Sequence, residues 1–319
     1  MGVSHRAKCR TLAHEDLAGL RMKGVLLAGG TGSRLGPATI ATNKHLLAIF
    51  DKPMIYYPLS TLFAAGVREV MHVTSPQHEA AFRQLLGDGS RFGAHIEYGI
   101  QPEPRGLVDG LLHAKHFVAG HEVAVVLGDN LFHGTGLGRH LQTYPAPDRA
   151  QVFAYRVADP TAYGVVTISR SGTALSIEEK PKAPGSNLAV TGLYFYPQDV
   201  MDFALRVGPS QRGEYEISTL NESYLLANRL DVSVLPRGTT WLDAGTAQDL
   251  QRASEFVSIV EERQGIKIGC PEEVAWLNGW LSDEQLARCL SHSAGNPYGE
   301  YLAALITEAR SSRPPNAVN

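Results

Sequence analysis

The residues best equipped for chemistry begin to cluster at position 29. Gly29-Gly30-Thr31-Gly32-Ser33-Arg34 interrupts an apolar run over Lys23–Ala28, so a buried strand should break there into a glycine-rich loop. Without Cβ atoms such a loop can bend sharply and bring its N–H groups against an anion. Arg34 adds a planar cationic fork suited to phosphate, and Lys44 follows it. The glycines alone would serve equally well for a left-handed turn with no ligand; the two cations tip the reading toward nucleotide phosphates. A P-loop is excluded, because Ser33-Arg34 follows Gly32 where Lys-Ser/Thr is required. A dinucleotide fingerprint is disfavoured by Leu35, which stands where a small residue belongs. Asp51 lies about where a ribose-binding acid would be, but Lys52-Pro53 after it reads as a turn.

Two acids recur at strand-to-loop breaks. Asp129 follows the apolar run Val123–Leu127 and Gly128, and Asp243 follows Trp241-Leu242 and precedes Ala244-Gly245. Acids in such places sit at the carboxyl edge of an open sheet, where α/β folds bind ligands. Either could be a plain turn or helix cap. As a pair, with phosphate oxygens, they form the usual ligand set for Mg²⁺, which keeps several waters of its own. Lys180, in Glu178-Glu179-Lys180-Pro181, reads either as an exposed salt bridge or as a phosphate contact.

The elements that must position these residues alternate. Strands are expected at Lys23–Ala28, Glu69–Thr74, 96–99 and 122–127. Helices are expected at 54–65 (stopped by Gly66), 78–86 (stopped by Gly87) and 106–118. That spacing predicts an α/β fold with a Rossmann-like, mostly parallel sheet and helices on both faces. From Gln151 short strands follow at 152–156, 164–169, Ala174–Glu179, 189–196 and 231–235, with a helix at 216–228. The tail reads as helices over 248–264, 282–290 and 298–309. No linker composition intervenes, so residues 22–250 are expected to form one catalytic domain. Residues 251–319 should form a helical region. Residues 1–21 are expected to be a disordered extension, with a short helix over 15–20 as the alternative, and the end from Arg313 should fray.

Bulk composition narrows the partners. With 319 residues, 44% hydrophobic content and 19% charge, the chain has material for a large core. A net charge of −3 argues against a nucleic-acid groove or an anionic membrane surface. No run approaches the ~18 apolar residues of a membrane span, and the first 21 residues lack the apolar core of a secretory signal. Cys9, Cys270 and Cys289 are odd in number and lack metal spacing, so free thiols in a reducing cytoplasm are expected.

The segments LAGGTGSRLGP, NKHLLAIFDKPMIYYPLSTL, LGDN, AYGVV, EEKP, AVTGLYFY, RGEYEIS and WLDAGT occur in that order between about residues 22 and 301. Together they resemble the sugar-1-phosphate nucleotidyltransferases, most closely the long-form members that join dTTP to α-D-glucose 1-phosphate. The resemblance implies a Mg²⁺-dependent in-line transfer that releases pyrophosphate, with Asp129 and Asp243 as metal ligands. It implies Arg34 on the triphosphate, Lys44 on the reacting phosphates and Lys180, with Arg212, on the sugar phosphate. Leu27, Gly29, Gly30, Gly32, Ser33, His45, Gln101 and Gly106 would then surround the nucleotide. Leu107, Tyr163, Gly164, Glu179, Val190, Thr191 and Trp241 would surround the sugar. A homodimer or homotetramer is implied as well, with residues 251–319 serving subunit contacts and a possible regulatory site.

Departures from the family pattern fall mostly beside the nucleotide. His45 stands where Gln is common, and Gly106-Leu107-Val108-Asp109-Gly110 replaces Gly-Leu-Ala-Gln-Ala. Thr167 replaces an acid. His45 is expected to loosen base selection or, alternatively, to hydrogen-bond into the loop away from the base, and Gln101 to donate to a base carbonyl while accepting from N3–H. Alternatives are the same chemistry with UTP, CTP or another hexose 1-phosphate, or a non-catalytic nucleotide-sugar-binding regulator. A pure regulator need not keep both acids together with Arg34, Lys44 and Lys180.

Overall fold

The computed structural model describes residues 22–143, 148–290 and 295–312. The expectations for residues 1–21 (Cys9 included) and for the end from Arg313 lie outside the described residues.

Strand β1 (Lys23–Ala28) is the centre of the sheet. Its Val25, Leu26, Leu27 and Ala28 are all buried, as a strand covered on both faces requires. After the glycine loop comes a short hairpin, β2 (Ala48–Ile49) and β3 (Lys52–Pro53), which turns at Phe50-Asp51. Helix α1 (Tyr56–Ala64) follows, and Gly66, at φ 85°, takes the left-handed turn that releases the chain into β4 (Glu69–Thr74). Helix α2 (Glu79–Leu86) leads to β5 (His95–Ile100).

The helix expected over 106–118 is instead two, α3 (Leu107–Leu112) and α4 (Lys115–Val118). The N–H of His113 is shared between the carbonyls of Asp109 and Gly110, so the last turn tightens and the first helix ends. Gly110 inside it favours the break. Strand β6 (Val123–Leu127) then returns beside β1, and β1, β4, β5 and β6 are parallel neighbours.

The second half adds β7 (Asn130–His133), helix α5 (Leu137–Gln142), β8 (Ala150–Arg156), β9 (Gly164–Ile168), β10 (Ala174–Glu179) and β11 (Leu188–Tyr196). Helices α6 (Val200–Ala204) and α7 (Ile217–Leu226) precede β12 (Leu230–Val234) and β13 (Thr240–Asp243). Strand β11 runs antiparallel to β6, β8 and β9, so one nine-stranded sheet runs in the order β10-β9-β11-β6-β1-β4-β5, with β8 beside β11 and β12 beside β8. The sheet is parallel through its first half and mixed beyond it.

Each face of the sheet carries its own core. Leu59, Leu62 and Phe63 of α1 and Phe82 of α2 pack on one face. Val108 and Leu111 of α3, with Leu220 and Tyr224 of α7, pack on the other. Helix α8 (Ala247–Gln264) is capped by the Thr246 hydroxyl, which accepts from the Asp249 N–H at 3.2 Å. The expected boundary at 250 therefore falls inside a helix. Helices α9 (Pro271–Leu277), α10 (Asp283–Cys289) and α11 (Pro297–Ser312) close over α1, with the Phe63 and Trp280 rings edge to face at 5.3 Å. Asp51 is engaged by Lys52 and Lys267, so it is not open to a ribose. Cys270 and Cys289 are free and buried. Among the described residues, no helix is long and apolar enough to cross a membrane.

Candidate active site

The glycine loop leaves the carboxyl end of β1 and bends at Gly32, whose φ of 67° is left-handed. A short turn of helix over Ser33–Thr39 follows, and the Thr39 hydroxyl donates back to the Gly32 carbonyl at 3.0 Å. Gly30, Ser33 and Arg34 are exposed at this edge. Asn43 is buried and ties the next segment to β1, its amide donating to the Ala28 carbonyl at 3.1 Å. That anchor sets Lys44 directly on the acids.

Asp129 and Asp243 meet because β7 pairs with β13. Asn130 lies opposite Asp243, and the Ala244 N–H donates to the Asp129 carbonyl at 3.0 Å. The Lys44 ammonium donates to Oδ2 of Asp129, and the Asn130 amide donates to Oδ1 at 2.9 Å. Arg34 and Asp243 both crowd Gly245: a Cβ placed there would lie 2.9 Å from Arg34 Nη2 and 2.9 Å from Asp243 Oδ1. The site is thus two carboxylates faced by two cations.

Their ionisation diverges. Burial alone would raise the Asp129 carboxyl, but Lys44 beside it, with His45 and the Lys44 and Asn130 hydrogen bonds, holds it well below the usual carboxylate range. Burial, and next the Asp129 charge, push Asp243 up to about 7, against Lys44 and Arg34. Oδ1 of Asp243 is buried and has no hydrogen-bond partner among the described residues. An orphaned carboxylate oxygen beside a second carboxylate fits a hard divalent cation that takes its remaining ligands from water and phosphate. Among the described residues no group of three or more His, Cys, Asp or Glu side chains could hold a metal ion.

On the sugar side, Glu179 lies opposite Gly164 across β10 and β9. Its Oε1 is 3.4 Å from Lys180 Nζ and 3.5 Å from Arg212 Nη2, and Arg212 also donates to Glu216 at 2.7 Å. Lys180 adopts φ 45°, rare for a side chain bearing Cβ, and its N–H donates to the Tyr163 carbonyl at 3.0 Å. Trp241 packs edge to face on Tyr163 at 5.1 Å. Its indole N–H donates to Asn130 Oδ1 at 2.5 Å, and the Gly192 N–H donates to that same oxygen at 3.0 Å. Val190 is nearly buried and apolar. The hydroxyl of Thr191, expected at the sugar, is fully buried and donates to the Phe153 carbonyl at 3.0 Å, so its side chain is not available there.

On the nucleotide side, His45 and Gln101 are both engaged within the chain. The His45 ring is buried, its Nδ1 lies 2.7 Å from Asn43 Oδ1, and its other edge lies against Gly128, where a Cβ would be 2.9 Å from Nε2. Burial and the neighbouring Lys44 lower its pKa well below the usual value, so the ring is neutral. Gln101 offers no donor: its Nε2 is spent on the Gly106 carbonyl at 3.0 Å and on Asp109 Oδ2 at 2.9 Å. Gly106, at φ 110°, lies against the backbone of Tyr215, whose carbonyl accepts from the Val108 N–H just past Leu107. Leu27 is buried, its carbonyl accepting from the Gly128 N–H at 2.9 Å.

Sequence reasoning passed over Asn130, Asn43 and Tyr215. Asn130 links Asp129, Trp241 and Gly192. Its signal was its place directly after a strand-end acid.

An open α/β sheet with a glycine loop, two cations and two acids at its carboxyl edge defines a nucleotide-binding fold built for phosphate chemistry. The model of the nucleotidyl transferase family matches residues 23–259, and the chain belongs to that family. It is 49% identical to the glucose-1-phosphate thymidylyltransferase of Mycolicibacterium smegmatis over 285 residues, which cover 89% of this chain and 99% of that one. It is 48% identical to the enzyme of that name from Neisseria meningitidis over 286 residues, 89% of this chain and 99% of the relative. Among solved structures, a Bacillus anthracis protein crystallised with sucrose is similar at 37% identity and a TM-score of 0.68, covering 74% of this chain and 94% of its own. A UDP-glucose pyrophosphorylase complexed with UDP-glucose shares the fold at 22% identity and a TM-score of 0.66, covering 75% of this chain and 99% of its own.

Proposed function

We propose that the chain transfers a thymidylyl group from dTTP to α-D-glucose 1-phosphate, giving dTDP-glucose and pyrophosphate. The observation that carries this is the convergence of Arg34 and Lys44 with Asp129 and Asp243 at the carboxyl edge of β1, β6 and β13. The relatives' shared name supplies the substrates.

In this reading, the loop N–H groups around Gly29, Gly30, Gly32 and Ser33 and the Arg34 fork hold the triphosphate. Lys44 stands where charge builds on the reacting phosphates. Lys180 and Arg212 hold the sugar phosphate, Glu179 accepts from sugar hydroxyls, and Tyr163 and Trp241 wall the sugar. A phosphate oxygen of the sugar phosphate attacks the α-phosphorus in line, the bond to the β-phosphate oxygen breaks, and pyrophosphate leaves. No protein nucleophile is needed, so alignment and charge neutralisation supply most of the rate. Asp129 and Asp243 would hold Mg²⁺, which when bound neutralises phosphate charge. Residues 22–250 would be the catalytic unit, in the cytoplasm, with the C-terminal helices serving a homodimer or homotetramer.

Pyrophosphate release from a panel of dTTP, UTP, CTP and ATP against several hexose 1-phosphates tests the proposal. Turnover should be highest with dTTP and glucose 1-phosphate and should vanish with EDTA. Binding without release of pyrophosphate in any combination would favour the non-catalytic regulator.

A further inference from the structure

The carboxamide of Gln101 is fixed by what surrounds it. The residue is only 5% exposed, and both partners of its Nε2, the Gly106 carbonyl and the Asp109 carboxylate, are acceptors. The amide must therefore turn its NH₂ toward them, and both hydrogens are used. Reversing it would lose two hydrogen bonds and set its oxygen against two oxygens at about hydrogen-bond distance.

On the opposite side, Oε1 lies over the glycine loop. A Cβ on Gly29 would be only 2.2 Å from it, and one on Gly110 would be 3.4 Å away. Among the described residues, Oε1 receives no hydrogen bond. Asp109 is itself steadied in α3, its Oδ2 lying 3.6 Å from His113 Nε2. The chain thus presents one oriented acceptor beside the loop expected to carry the nucleotide.

We infer that Asp109 is a positioning residue that makes Gln101 an obligate acceptor, and that this selects pyrimidines bearing an N3–H. The inference rests on the proposed function, with the base lying at Gln101. Thymine and uracil carry a proton on N3 and can donate it to Oε1. Cytosine presents a lone pair at N3, which would face the Gln101 oxygen and leave both unpaired. A glutamine at position 109 could turn either end of its own amide toward Gln101 and would not impose this orientation; a carboxylate does.

The test is kcat/KM for dTTP, UTP and CTP at saturating glucose 1-phosphate, in wild type, Asp109→Leu and Asp109→Asn. Wild type should use dTTP and UTP and discriminate against CTP. Asp109→Leu removes one of the two acceptors, so the dTTP-to-CTP ratio should fall about tenfold or more, chiefly through KM, because the base is remote from the reacting phosphorus. Asp109→Asn can turn either end of its amide toward Gln101, so it should lower the ratio too, though less than Asp109→Leu. Asp109→Ala replaces Asp109→Leu if the latter does not fold. A ratio within twofold of wild type in a folded variant, or an equal loss with dTTP and CTP, would overturn the inference. Wild-type turnover of none of the three nucleotides would instead overturn the proposed function, and the inference with it.

Discussion

Asp243→Asn should make the protein more stable and nearly inactive. An acid held at about 7 instead of 3.8 is harder to ionise in the fold than in the unfolded chain. Its contribution is fully present below the unfolded pKa and is lost as pH rises through about 7. At pH 8 the cost reaches an upper limit of about 4 kcal/mol, and at pH 5 it is under half of that. Asn keeps the shape and sheds the charge, but still buries an unpartnered oxygen. A net gain of about 1–3 kcal/mol at pH 8 is therefore expected, or roughly 2–6 °C in Tm for a chain of this size. Thermal unfolding by circular dichroism in EDTA at pH 8 and pH 5 reads it: the variant should lead at pH 8, and the lead should shrink at pH 5. Added Mg²⁺ should raise the Tm of wild type and not that of the variant. Turnover should fall at least ~10²-fold, because a charge-stabilising ligand is lost. A variant that melts below wild type at pH 8 would show that Asp243 carries no buried-charge cost, and one that turns over normally would show that it is not a ligand.

The remaining expectations concern other parts of the site and sheet. Lys180→Ala should raise KM for the sugar phosphate clearly more than KM for the nucleotide; equal effects in steady-state kinetics would place Lys180 elsewhere. Gly192→Ala puts a Cβ 2.7 Å from the Asn130 side chain. It should displace the amide that holds Asp129 and Trp241 and cut kcat/KM more than tenfold, whereas unimpaired kinetics would make Asn130 dispensable. His72 is fully buried, both its ring nitrogens lack hydrogen-bond partners among the described residues, and burial drops its pKa to about 3. Stability is therefore lost as pH falls from about 6.5 toward 3. His72→Leu should add about 1–3 kcal/mol at pH 7 and flatten that acid limb in urea titrations, an effect absent if the imidazole is in fact paired.

What was legible in the sequence was what local pattern controls. The strands Lys23–Ala28, Glu69–Thr74 and Ala174–Glu179 end where expected, because apolar periodicity and a following Gly, Ser or Lys-Pro fix them. The pairing of β7 with β13 was not legible, since a four-residue strand gains its identity only from a distant partner. The same holds for Gln101 and His45. Their residue types suggested base reading, but Asp109 and Gly106 take the Gln101 NH₂ and leave only its oxygen, while Asn43 and Gly128 flank the His45 ring. Lys52 looked like a turn residue and is a buried ammonium paired to Glu261, 209 positions away.

The central claim is that this carboxyl-edge cluster moves the thymidylyl group directly from nucleotide to sugar phosphate. The most direct measurement uses dTTP carrying a single sulfur of known configuration on the α-phosphorus, with glucose 1-phosphate and Mg²⁺, and determines the configuration of the product. One in-line displacement with no enzyme-bound nucleotide should give thio-dTDP-glucose with the α-phosphorus inverted. Retention of configuration, or no such product, would contradict the account.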